Sequence, residues 1–298
     1  MGKWHKYGSA LLVAALAMPA VAAERPRNPA YNDLAVAPRT GQVTFQRRPA
    51  RPGDRIDQRL EVSLQLESTT RNGQEIVSQQ ETSLKRVQQQ TMVADEVVDG
   101  KTVAARVKFN QIEQTRNDSP GDPSPIEGKL YHCRQEGEQL KVTRDDGAIP
   151  TPQEYELVSA SMASLGKINP LAEFFAGKTV RSGMKITLPQ QVGTTLLGGD
   201  EALGKVSRFE MTLKEVVTRG TTQIARFDTE LEAEAGDGAQ MRLLLGGTIE
   251  LEVETCRTQR LELDGPMARM SSFGSYSHRE TTSVRGKMKV HMEAGYTN

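Results

Sequence analysis

A thiol abuts an imidazole at one place in this 298-residue chain, His132-Cys133. A cysteine beside a histidine could form a nucleophile–base pair. Consecutive residues of a strand point to opposite faces, however, and the surrounding alternation reads as strand, so the two side chains should diverge. They are expected to be ordinary strand residues. His278 and His291 have no second His or Cys at helical or zinc-finger spacing. Ser164-Leu165-Gly166-Lys167 reproduces the Ser-x-x-Lys spacing of penicillin-binding enzymes. In those enzymes the serine opens a helix, whereas Ser164 falls at the end of one, and neither Ser-Asp-Asn nor Lys-Thr-Gly occurs. Gly198-Gly199-Asp200 and Gly204 are glycine-rich, but no Gly-Lys-Ser/Thr follows to cradle a phosphate. Asp145-Asp146 precede Gly147 and read as a solvated turn. Glu250, Glu252 and Glu254 could in principle collect calcium; without loop-type glycine or Asn/Asp spacing they read as the water-facing side of a strand. The residues therefore nominate no catalytic group, no cofactor-binding group and no metal ligand, and the expected protein is not an enzyme.

The elements around these residues are mainly strands. Leu60, Val62, Leu64 and Leu66 alternate with Glu61, Ser63, Gln65 and Glu67, the period of a strand with one buried face. Asn72-Gly73 signals a type I′ hairpin with positive φ at both central residues, and a second strand follows from Ile76 to about Gln90. Asp99-Gly100 marks another tight turn before Val103, Ala105, Val107 and Phe109. A further hairpin should turn at Glu136-Gly137, between Leu130–Cys133 and Leu140–Val142. Thr151-Pro152-Gln153-Glu154 is a capping box with proline at the first helical position, predicting a helix to about Leu165. Its stripe would be Tyr155, Leu157, Val158, Met162 and Leu165. Asn169-Pro170 opens a shorter helix ending at Gly177. A strand near Lys185–Leu188 and a glycine-rich loop from Gly193 to Gly204 follow. Alternation then resumes at Phe209, Met211 and Leu213, at Ile249, Leu251 and Val253, and at Val284, Met288, Val290 and Met292. These strands should be long, about 10–14 residues, above the usual five or six.

Two stretches repeat at an offset of about 120 residues. Glu96-Val97-Val98 leads through Gly100 and Thr102 to Val107, and Glu215-Val216-Val217 leads through Gly220 and Thr222 to Phe227. Cys133-Arg134 and Cys256-Arg257 share nearly that offset. The organisation expected is a signal peptide at 1–23, a Pro/Arg-rich leader at 24–53 that is mobile or straps across the domain, and a first β half at 54–149. A helical and glycine-rich connector at 150–204 and a second β half at 205–298 complete it.

The signal reading rests on Lys3, His5 and Lys6, an apolar run from Ala10 to Ala17, Pro19, and small residues before Glu24. The run is far shorter than the roughly 20 residues of a membrane-spanning helix. Cleavage would leave roughly 275 residues, periplasmic or secreted, with no further span. Lys+Arg and Asp+Glu number 38 each, and loss of Lys3 and Lys6 leaves a slight acidic excess, so neither nucleic acid nor an anionic membrane is an expected partner. Aromatic residues make up 5% and the single tryptophan, Trp4, lies in the signal, which argues against a carbohydrate cleft. Cys133 and Cys256 would occupy a compartment where disulfides persist. One bridge between them is the favoured reading, although two cysteines fix a parity and not a distance.

Val97–Gly100 feeding an alternating strand that ends near Ile112, the helices before Gly177, and Gly183 before Ile186–Pro189 together resemble an uncharacterised bacterial family. That family comprises exported β-rich proteins with a domain of unknown function, and the resemblance covers about residues 53–292. It implies no catalytic residues. More distantly, a curled antiparallel sheet with helices on one side is similar to the fold of periplasmic lipoprotein carriers. The expected fold is mainly β: a large curled antiparallel sheet or open barrel in two similar halves, with two short helices between the halves or plugging the concave face. The expected function is that of a non-enzymatic envelope protein binding an apolar ligand or lipid. The alternatives are a structural or protein-interaction component without a small ligand and, less favoured, a hydrolase. The partner would be a lipid or an envelope protein.

Overall fold

Strands with one greasy face are stable only when that face is covered, and here a single sheet curls so that most of its inner surface is buried. The structure, a computed structural model, describes residues 41–197, 205–235, 239–273 and 280–297; the expected signal segment lies outside them. The long strands are β2 (Arg55–Asn72), β3 (Glu75–Val98), β4 (Lys101–Arg116), β10 (Lys205–Arg219), β11 (Thr222–Ala235), β12 (Ala239–Glu252), β13 (Thr258–Phe273) and β14 (Glu280–Thr297). Shorter ones are β1 (Gln42–Thr44), β5 (Ser119–Pro120), β6 (Leu130–Glu136), β7 (Gln139–Arg144), β8 (Thr179–Arg181) and β9 (Lys185–Thr187). Twelve of them form one antiparallel sheet in the order β7-β6-β4-β3-β2-β14-β13-β12-β11-β10-β9, with β5 beside β4. The sheet is open, with β7 and β9 at its two ends.

The two halves meet where β2 pairs with β14 along its whole length, from Arg55↔Thr297 to Asn72↔Glu280. This register sets Leu60, Val62 and Leu64 opposite Met292, Val290 and Met288, all buried. The same inward face carries Phe227 and Leu231 on β11, Leu243 and Ile249 on β12, and Val107 and Phe109 on β4. The segments matched by the internal repeat are both hairpins, β3–β4 and β10–β11.

Turn chemistry follows the sequence at one hairpin and departs from it at another. Asp99 and Gly100 have φ of 51° and 72°, both positive as a type I′ turn requires. At the β2–β3 turn Asn72 stays in the ladder opposite Glu75, and of the expected pair only Gly73 has positive φ, 61°. A bulge between Thr70 and Arg71 advances the pairing by one residue. The turn therefore pivots on Gly73 and Gln74, with glycine first.

Residues 41–53, the described part of the expected leader, lie as a strap; residues 24–40 of it are outside the described residues. β1 pairs with β8, the Phe45 amide donates to the Lys178 carbonyl and the Gln46 amide to the Val253 carbonyl, both at 2.9 Å. The Phe45 ring packs 4.9 Å from Phe175 and 6.0 Å from Phe227. Among the described residues, three helices pack on the inner side of the sheet. Helix α1 (Pro152–Ser161) carries the full capping box, the Glu154 amide donating to Thr151 Oγ1 and the Thr151 amide to Glu154 Oε2. It ends four residues earlier than the spacing predicts. Val158, Met162 and Leu165 are buried as expected, but Tyr155 is exposed and its hydroxyl donates to the Leu140 carbonyl. Helix α2 (Pro170–Phe175) is capped by Asn169. Helix α3 (Gln190–Leu196) occupies what reads as the start of a glycine-rich loop. Its Gly193 packs so tightly under β10 that a Cβ would meet Val206 Cγ1 at 2.8 Å. The rest of that loop, 198–204, lies outside the described residues.

The expected disulfide is not formed: Cys133 and Cys256 are free and buried. Cys133 is on β6 and Cys256 is in the turn between β12 and β13. In the sheet order β4, β3, β2 and β14 stand between β6 and β13, and neighbouring strands are about 4.8 Å apart. Instead of bridging, the Cys256 thiol donates to the Gln46 carbonyl at 3.0 Å.

Candidate functional site

The inward face is largely apolar, and its buried polar side chains are concentrated along one strand. Leu84, Arg86, Gln88, Gln90 and Met92 of β3 stand opposite Leu64, Val62, Leu60, Gln58 and Ile56 of β2. Three polar side chains thus point where the pattern calls for core residues, and all three are buried. Polar groups at core positions normally destabilise a fold unless every one is bonded. Here they form a row. Arg86 Nη2 donates to Gln88 Oε1 at 2.8 Å, Gln88 Nε2 to Gln90 Oε1 at 2.9 Å, and Gln90 Nε2 to Gln58 Oε1 at 2.9 Å. Ser161, the last residue of α1, crosses from the helix side: its hydroxyl donates to Gln90 Oε1 at 2.8 Å.

Arg86 is the exception in this satisfied row. It is 6% exposed, and its Nε is buried without a hydrogen-bond partner among the described residues. Burial pulls its pKa below the ordinary arginine value, and no charged group among the described residues offsets that. A guanidinium taken out of water without a counter-charge costs several kcal/mol. Its neighbours across the sheet are Val62 on β2 and Gln114 on β4. Towards the β2–β3 turn the same face continues through Leu66, Leu84 and Met267, apolar and only partly buried.

At the rim of the face, Glu154 ties α1 to the sheet. Its Oε1 accepts from Lys129 Nζ at 2.5 Å and from the Tyr131 hydroxyl at 3.1 Å. The Lys129 bond, aided by the Thr151 amide, outweighs burial and holds the carboxyl down at about 2.

The residues nominated from sequence do not converge on a second centre. His132 is exposed and bonds Asp145 Oδ1 at 3.0 Å, while Cys133 is buried. Burial pushes the Cys133 thiol up to about 12. His291 faces Glu262 and Glu293. Ser164 and Lys167 are joined through the backbone of a turn. Asp146 accepts from Arg144 and the Ala148 amide in an exposed turn. His278 and Gly198–Gly204 lie outside the described residues. The Glu250 row departs from expectation: Glu250 is buried, gripped by Arg226 and Arg219 at 2.8 Å each. Burial alone would raise its pKa; the two arginines hold it below the usual carboxylate value. Among the described residues no three His, Cys, Asp or Glu side chains cluster to hold a metal ion, and no helix is long and apolar enough to cross a membrane.

No protein-family model and no curated protein matches the chain. Solved structures give only distant likenesses. A lipovitellin structure concerned with lipid–protein interactions aligns over 83% of this chain at 8% identity and a TM-score of 0.38. The chain spans 26% of that protein. The translocator domain of the autotransporter NalP from Neisseria meningitidis aligns over 80% of this chain and 89% of its own, at 11% identity and a TM-score of 0.15. The secretin GspD of the E. coli K12 type II secretion system aligns over 82% and 50% of the two chains, at 9% identity and a TM-score of 0.17. Likenesses this distant say nothing of what the chain binds.

The row was visible in the sequence as a phase signal. Arg86, Gln88 and Gln90 share the phase of Leu84 and Met92, so the strand's polar residues sit on its inner side.

Proposed function

We propose that this is an exported, non-enzymatic protein of the bacterial envelope that holds an amphipathic ligand against its curled sheet. The apolar part would lie along Leu66, Leu84 and Met267, with an anionic or hydrogen-bond-accepting head at Arg86. The observation that carries this reading is the buried Arg86 guanidinium with no counter-charge among the described residues, at the end of a row of neutral polar side chains in a largely apolar face. An anionic head would supply the missing charge and an acceptor for Nε. A role without catalysis is supported by the separation of His132 from Cys133 and by a thiol kept protonated by burial.

The test is retention of a fluorescent long-chain fatty acid by organic-extracted protein, compared with its methyl ester. The acid should be retained, the ester held at least about tenfold more weakly, and Arg86→Met should erase the difference. Extracted protein that retains neither probe would end the proposal.

A further inference from the structure

A second feature lies at the far end of the sheet, away from the Arg86 row. There the β3–β4 turn, the β12–β13 turn, the N-terminal strap and the segment before α2 meet around a small cleft of about 50 Å³. Arg47 and Arg48 come from the strap, Lys101 from the first residue of β4, Lys167 from the turn before α2, and Arg257 from the end of the β12–β13 turn. A single water needs about 10–15 Å³ of such space, so the cleft has room for a group of a few heavy atoms.

Five cations line a space of that size, and one of them is buried in its wall. Arg257 is 2% exposed, and its Nη1 is buried with no hydrogen-bond partner among the described residues. The nearest carboxylate is buried Asp54, whose Oδ2 lies 3.8 Å from the other terminal nitrogen, Nη2. Tyr296 stacks 5.4 Å from the guanidinium carbon and fixes its plane. Two carboxylates act on Arg257, Asp54 and Glu252, against five cations at the cleft, which leaves it positive in a chain whose overall charge is zero. Arg47 and Lys167 are exposed, while Arg48 and Lys101 are half-buried, so the cleft keeps an open mouth above the anchored Arg257. The Cys256 thiol in its wall is already donating to the Gln46 carbonyl, and burial pushes it up to about 12, so the site is set up to bind rather than to react.

We infer that this cleft binds a phosphate-type oxyanion, with Arg257 Nη1 as the buried donor and Lys101 and Lys167 closing over the rim. A multiply charged, compact oxyanion matches both the excess of positive charge and the volume; a guanidinium offers it directed N–H donors. Free phosphate and the phosphodiester of an anionic lipid present the same chemistry to the cleft. The inference does not depend on the ligand proposed for the concave face.

Calorimetric titration of the purified protein with inorganic phosphate, against chloride at matched ionic strength, tests it. A parallel arm measures co-sedimentation with phosphatidylglycerol vesicles and with phosphatidylcholine vesicles. Arg257→Ala risks unfolding, so the informative variant is Lys101→Ala with Lys167→Ala, checked for an unchanged melting temperature without phosphate; Lys101→Arg with Lys167→Arg keeps the charge. Saturable phosphate binding, weakened about tenfold or more in the alanine variant and restored in the arginine variant, supports a free anion. Binding confined to phosphatidylglycerol vesicles, with the same variant pattern, supports a lipid headgroup. Absence of saturable binding in both arms overturns the inference, and so does binding that the alanine variant leaves intact.

Discussion

Replacing Arg86 by methionine separates the cost of holding this side chain from its use. The guanidinium is 6% exposed and, among the described residues, bonded through Nη2 to Gln88 with Nε left without a partner. The desolvation penalty for such a charge is several kcal/mol, and one hydrogen bond from a charged donor returns about 1.5–3 kcal/mol. Methionine of similar length removes the penalty and adds apolar burial, but leaves Gln88 Oε1 without its donor, at about 1–3 kcal/mol. The balance is a ligand-free protein as stable as the wild type or more stable by about 1–2 kcal/mol, a rise in Tm of roughly 2–6 °C for a chain of this size. Urea and thermal melts of organic-extracted protein at pH 7 measure it. A loss of 2 kcal/mol or more in Arg86→Met would refute the reasoning, because it would mean that the fold itself satisfies the charge.

Three further outcomes are expected. Glu154 titrates at about 2 in the folded chain against an ordinary 4.5, so the folded state binds fewer protons than the unfolded one. Its contribution, at most about 3 kcal/mol, is complete above pH 4.5 and is lost as the pH falls towards 2; acid unfolding of Glu154→Gln should be flatter across that window. Gly265→Ala should unfold the protein or cost about 4 kcal/mol or more, since a Cβ there would stand 1.9 Å from the Leu244 carbonyl oxygen; circular dichroism and solubility report it. Cys133 and Cys256 should both react with a thiol reagent in unreduced, denatured protein and resist it when folded, as free, buried thiols pushed up to about 12 must.

Local patterns disclosed the parts of this fold whose causes are local. The alternation from Leu60 to Leu66, the Asp99-Gly100 turn and the Thr151–Glu154 capping box each follow from neighbouring residues, and each stands where the sequence puts it. Helix α3 was hidden because Gly193 reads as a helix breaker, and only its packing under Val206 and Phe209 explains its presence. The length of β3 was underestimated for a related reason: beyond Gln90 it continues to Val98, but inward-facing Arg86, Gln88 and Gln90 blur the one-sided pattern. The buried polar row was missed with it. The state of the cysteines was out of reach, because sequence offset says nothing of how many strands separate two positions in a sheet. The burial of Glu250 was likewise invisible, since it depends on Arg219 and Arg226 arriving from neighbouring strands.

The pairing of β2 with β14 bears on how the chain reaches this state. Those strands are separated by almost the whole sequence, yet they form the central seam. The contact order of such a seam is high, which places folding on the slow side of the range for β proteins, milliseconds to seconds. Each half can grow outward from local hairpins, but until β14 is available β2 remains an unpaired edge, open to pairing with another chain. The last long strand therefore acts as a zip. A chain lacking it would present two half-sheets with sticky central edges, and a second copy that donated its own β14 would yield a strand-swapped dimer with the same seam.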